Sequence, residues 1–163
     1  MKSFAFASTI ALSLIASAAS AQAVRTEKNM SLELANQIAT ATVASCSASG
    51  YHVTAAVMDR AGTLRALQRA DNAGPHTVGA AQGKAYTSAS ARNSTGAMLE
   101  TVQKNPGAAT LVDIPGFLVL GGGVPVKVGN EVIGAVGVGG APGGHLDEAC
   151  AQAGIAQVAE LLK

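Results

Sequence analysis

The chain has 163 residues, with eleven basic and ten acidic side chains and a net charge of +1. A near-neutral chain with no cluster of either sign lacks the electrostatic footprint of a nucleic-acid binder. The absence of tryptophan, with only two tyrosines and three phenylalanines, also removes the stacking platforms of a single-strand binder.

At the N-terminus Lys2 precedes the uncharged run Phe4 to Ala18, which is followed by the small-x-small site Ala19-Ser20-Ala21. This is the pattern of a secretory signal peptide, so residues 1–21 are expected to be removed and the protein to act in the periplasm or outside the cell. A run of roughly fifteen apolar residues falls short of the ~20 that a span needs, so no membrane span is expected after cleavage. Residues 22–30 read as a loose arm and 31–163 as a single domain, because the remaining length suits one core rather than two.

Ser31 can cap a first helix in which Ala35, Ile38, Thr42 and Cys46 recur at three to four, with Gly50 placed to end it. Val53 to Met58 and Thr63 to Arg69 then read as a hairpin across Asp59-Arg60-Ala61-Gly62. After the dense turn Asp71 to Pro75, the Ala-rich segment Thr77 to Arg92 reads as a helix able to pack closely on a sheet, with Thr77 as its N-cap. Ser94 or Thr95 starts a shorter helix through Lys104, which Asn105-Pro106-Gly107 stops. A strand over Phe117 to Leu120 is expected next, and Leu146 to Leu162 as a closing helix.

Between these last two, eleven of the nineteen glycines fall between Gly116 and Gly144, threaded through valines. Valine favours extended backbone, while repeated glycine clears side chains where something must approach closely. The segment reads as a hairpin with arms Val124–Val128 and Val132–Val138 and a turn over Lys127–Glu131. Five strands joined mainly by hairpins, with helices before, between and after them, indicate an α+β fold.

Enzymatic motifs fail. Gly137 and Gly139 open a GxGxxG whose third glycine is replaced by Pro142, and no nucleophile elbow, P-loop or HExxH occurs. Asp59 and Asp71 sit in turns, where aspartate bonds the local backbone. Cys46 and Cys150 are either a bridge between the terminal helices or two buried thiols, and the spacing leaves both open.

The blocks VxxAVMDRAGTL, RADNAGPHTxxxAxxKAYT, LVDIPGFLVLGGGVPV and GAVGVGGAPGGHLDEACAQAG, in this order over residues 31–162, resemble the GlcG/HbpS family of haem-binding proteins. That family is related to the C-terminal domain of PduO-type corrinoid adenosyltransferases. The resemblance implies a profilin-like fold with a five-stranded antiparallel sheet in α/β/α layers, homo-oligomers up to octamers, and haem as cofactor. It also implies departures. The acidic E-x-x-E pair of an exported relative is replaced here by Gly79 and Gln82, and the threonine after its IPG by Phe117.

Imidazole is the usual protein ligand for haem iron, and the chain has three histidines. His52 opposes the buried alternation of its strand and reads as a surface residue. His145, beside Asp147 and Glu148 at the start of the last helix, suits a capping role or a ligand. His76, between the AGP turn and a helix start, is the leading iron ligand. Met98 reads as core. The candidate haem-contacting set is His76, Thr77, Phe117, Gly122 and His145, with His76 on the metal. Binding is expected rather than catalysis, since no base or nucleophile stands out. The competing readings are an enzyme or enzyme accessory of corrinoid or hydroxy-acid metabolism, and a cofactor-free oligomeric module.

Overall fold

The computed structural model describes residues 23–163, so the expected signal peptide lies outside the described residues. Helix α1 spans Leu32–Ala48, and Ser31 caps it by accepting a hydrogen bond from the Leu34 amide. Strands β1 (Thr54–Asp59) and β2 (Leu64–Arg69) form the first hairpin. Its turn is held by Asp59, whose Oδ1 accepts from the amides of Ala61 and Thr63, while Gly62 supplies the positive φ of 78°. Helix α2 spans His76–Ala91, α3 Thr95–Lys104, β3 Gly123–Val128, β4 Glu131–Gly139 and α4 Gly144–Gln157.

The sheet has four strands in the order β2-β1-β4-β3, all antiparallel. Helices α1 and α4 pack together and cover one face, and α2 covers the other. Val57, Val126, Val136 and Val138 join Ile38 and Cys46 in the larger core on the first side. On the second side alanines dominate: Ala56 and Ala135 of the sheet meet Ala81 and Ala85 of α2, with Met58 at the edge of the cluster. The approach is close enough that a Cβ on Gly137 would fall onto the Ala81 carbonyl oxygen and 3.0 Å from the Ala85 Cα. The glycines of β4 thus set the distance at which α2 lies on the sheet.

Cys46 and Cys150 are bridged, with their Cα atoms 5.3 Å apart, and this joins α1 to α4 across 104 residues. The same two helices touch where a Cβ on Gly154 would lie 2.8 Å from the Thr42 Cα.

The expected fifth strand is absent from this sheet. Residues 117–120 run as a loop whose backbone is satisfied by helix side chains. The Leu118 amide donates to Thr87 Oγ1 at 2.7 Å, and the Leu120 carbonyl accepts from Thr95 Oγ1 at 2.7 Å. Backbone groups bonded to α2 and α3 are not available to a ladder. Thr77 is also not a cap: Pro75 holds that position, and the Thr77 hydroxyl lies inside the first turn, donating to the Gly74 carbonyl at 2.6 Å and sharing a 2.7 Å bond with Thr54 Oγ1. The stretch between α3 and the IPG turn is a 3-10 helix over Pro106–Asp113. Helix α4 stops at Gln157, and a 3-10 turn over Ala159–Leu161 follows it.

Candidate functional site

Helix α2 has an inner and an outer face. Thr77, Ala81, Lys84, Ala85 and Ser88 point at the sheet and are buried. His76, Gly79, Gly83 and Tyr86 recur at three to four residues and lie on the other side. The His76 side chain is exposed at the helix start, its ring resting back over Gly74, where an added Cβ would come within 2.7 Å of Cε1. It makes no hydrogen bond among the described residues, so its ring nitrogens remain available. Three residues on, Gly79 is bare, and a Cβ there would meet nothing within 4 Å.

Tyr86 closes the far end of this face. Its ring is held between Gly62 and Gly116, either of which would bring a Cβ to 3.1 Å from it. Gly116 can sit there because its φ of 83° lets the IPG turn fold over the ring. Phe117 packs edge-on against Tyr86, with centroids 6.3 Å apart and an interplanar angle of 76°. Gly79, Gln82, Gly83, Tyr86, Pro115 and Gly116 line a shallow cleft of about 360 Å³. From His76 to Tyr86 the helix rises ~15 Å, so an imidazole and an aromatic pair bracket a surface that is bare at Gly79 and covered by Leu118 at Gly83.

His145 occupies a different place. It is exposed in the first turn of α4, and its ring lies over Gly143 as that of His76 lies over Gly74. It does not cap; Gly143 holds that position, without a side-chain bond. His145 instead borders a cleft of about 600 Å³ against α3 and Leu120, together with Ser94, Glu100 and Glu148. This second cleft is thus edged by a helix-start histidine and two carboxylates, whereas His76 lies on the α2 face outside the lining of the first.

Gly122 lies on neither surface. It is buried with a φ of 125°, and a Cβ on it would come 2.8 Å from the Asp147 Cβ and 3.0 Å from the Lys84 Nζ. These two residues form a charged pair that sequence reasoning missed. Lys84 Nζ donates to Asp147 Oδ2 at 2.7 Å and to the Val138 carbonyl at 2.8 Å, while Asp147 Oδ1 accepts from the Ala141 amide at 3.0 Å. Burial pushes the Asp147 carboxyl above its ordinary range, against the pull of Lys84 and the Ala141 amide. A signal was present, since Lys84 stands on the Ala81/Ala85/Ser88 stripe, where a cation facing a sheet requires an anion.

Of the five candidates, then, His76 and Phe117 are brought to the same helix face and His145 to another cleft. Thr77 and Gly122 are set inside, with the Thr77 hydroxyl already bonded. Met98 is core, and His52 is exposed. Among the described residues no cluster of three or more His, Cys, Asp or Glu side chains could hold a metal ion on its own.

These features define a class: a helix-covered four-stranded antiparallel sheet whose glycine-rich hairpin seats one helix and leaves that helix's outer face open beside a free imidazole. Residues 30–156 match the family described as haem degrading protein HbpS-like, and the chain belongs to it. It is 36% identical over 115 residues to Protein GlcG of Escherichia coli strain K12, covering 71% of this chain and 84% of that one. In structure it is similar to HbpS, with 38% identity, a TM-score of 0.78, and coverage of 83% of this chain and 94% of that one. It is likewise similar to a double mutant of Streptomyces reticuli HbpS, with 35% identity, the same TM-score of 0.78, and coverage of 94% and 98%.

Proposed function

We propose that this protein is an exported, homo-oligomeric haem-binding protein that holds haem against the outer face of α2, with His76 as an iron ligand. The observation that carries the reading is the unbonded, exposed His76 imidazole at one end of a helix face that Gly79 leaves bare. A flat macrocycle needs a surface without protruding side chains, and its iron needs a nitrogen lone pair. Both are present within one helix. Tyr86 and Phe117 add apolar rings at the far end. Haem would supply the redox and ligand-binding chemistry of its iron; the chain contributes the imidazole, the bare surface and the aromatic edge.

The His145 cleft is larger but suits haem less well. A porphyrin brings two propionate anions, and Glu100 and Glu148 already line that cleft. On the α2 face, Gly79 and Gln82 stand where an acidic pair would repel those groups. The same exchange removes the carboxylates on which surface iron binding would rest. Export is supported by the Lys2 to Ala21 pattern, and association by the side-chain-poor hairpin and near-neutral charge.

Titration of the purified protein with hemin tests the reading. A shifted, saturable Soret band is expected, and a flat titration would sink it in favour of a cofactor-free module.

A further inference from the structure

The β3–β4 hairpin tip borders a cleft of about 660 Å³ lined by Lys28, Arg60, Arg92, Lys127 and Glu131, four cations against one carboxylate. The described residues contain ten lysines and arginines, so four of the ten meet in one place in a chain of nearly balanced charge. Arg60 is fixed there: its Nε lies 3.1 Å from Glu27, and its Nη1 bonds Glu131. That ion pair consumes the one carboxylate of the cleft. Lys28, Arg92 and Lys127 make no ion pair among the described residues, whereas Lys84 and Lys104 each have a carboxylate partner at 3.0 Å or less.

Arg92 adds an independent observation. It ends α2 in the left-handed conformation, φ 55° and ψ 31°, at a position where glycine or asparagine is the comfortable residue. In that conformation Arg92 lines the cleft together with the hairpin-tip residues Lys127 to Val132. Arm, β1–β2 turn, helix end and hairpin therefore contribute one cation each to a single concave surface.

We infer that this cleft is a binding site for a small ligand carrying two or more oxyanion groups, phosphate or carboxylate. The guanidinium and ammonium groups present complementary charge-assisted donors, and the volume exceeds what one oxyanion needs. The site is separate from the α2 face, and its occupancy does not depend on haem.

Calorimetric titration of the haem-free protein with inorganic pyrophosphate and with citrate, at about 0.15 M salt to screen non-specific attraction, tests it. Saturable binding of at least one probe is expected. Preference for pyrophosphate assigns a phosphorylated ligand, and preference for citrate a polycarboxylate. Arg92→Gly suits the left-handed position and so preserves the fold; it should weaken binding about tenfold, as should Lys127→Gln. Arg65→Gln, which removes a cation outside the cleft, and His76→Ala should leave it unchanged. Failure of both probes to saturate, or unchanged affinity in the Arg92→Gly/Lys127→Gln double variant, would overturn the inference while leaving the haem reading intact.

Discussion

Lys84 and Asp147 meet 2.7 Å apart with side chains only 3% and 4% exposed, tying the helix that carries the candidate haem face to the helix that carries the disulfide. Removing one partner strands the other charge in the core. Asp147→Asn should therefore destabilise the protein by about 3–5 kcal/mol, and a Lys84→Met/Asp147→Leu double variant should recover most of that loss. Urea unfolding of the three variants checks it, and an additive double variant would contradict the pairing.

The same carboxyl has a pH signature. Its folded pKa is raised above the ordinary 3.8, first by burial and against the opposing effect of Lys84. The unfolded chain thus ionises first. Stability from this group is fully present below 3.8 and is lost as pH rises through the folded value. Asp147→Asn, which cannot titrate, should flatten that decline in a series of unfolding midpoints taken at rising pH from 3.8 upward.

The Cys46–Cys150 bridge closes 104 residues, and the chain-entropy account assigns a loop of that size up to about 4.7 kcal/mol. Denaturation with and without reductant should show a large fall in stability. The Cys46→Ala/Cys150→Ala variant should be insensitive to reductant. No thiol should titrate in the oxidised, unfolded protein.

The iron ligand is tested by spectrum as well as affinity. His76→Ala should move the Soret band and weaken haem binding more than tenfold, about 1.4 kcal/mol or more. Phe117→Ala should loosen binding yet keep the band position. Loss of the shifted band in His145→Ala with His76→Ala unaffected would transfer the ligand to the α4 cleft.

Two glycines should respond oppositely to alanine. Gly137→Ala drives a methyl into the α2 backbone and should cost about 2–3 kcal/mol. Gly79→Ala meets open space in a helix and should add about 0.5–1 kcal/mol. Thermal unfolding separates the two, and haem titration of Gly79→Ala reports how much bare surface the macrocycle uses.

Local chemistry sufficed for much of the fold. Ser31 and Ser94 as caps, the Asp59–Gly62 turn, the Val-Gly hairpin and the Ala-rich α2 depend on neighbours within a few residues, which is what periodicity and turn residues encode. Phe117 to Leu120 read as a strand because its apolar run is indistinguishable from one, and the hydroxyls of Thr87 and Thr95, both more than twenty residues earlier, claim its backbone instead. Thr77 looked like a cap for the same reason; its partner Thr54 is on β1, more than twenty residues earlier. His76 and Phe117 could be named from the chain alone, as residue types that bind iron and pack on rings. Only the packing of α2 on Gly137 and the fold of the IPG turn over Tyr86 placed them on one surface, and only tertiary proximity could show that Gly122 lies against a buried ion pair. Sequence spacing carries contacts made along a helix or across a turn, whereas a site assembled from α2, a loop thirty residues on and a hairpin tip exists only once the chain has closed on itself.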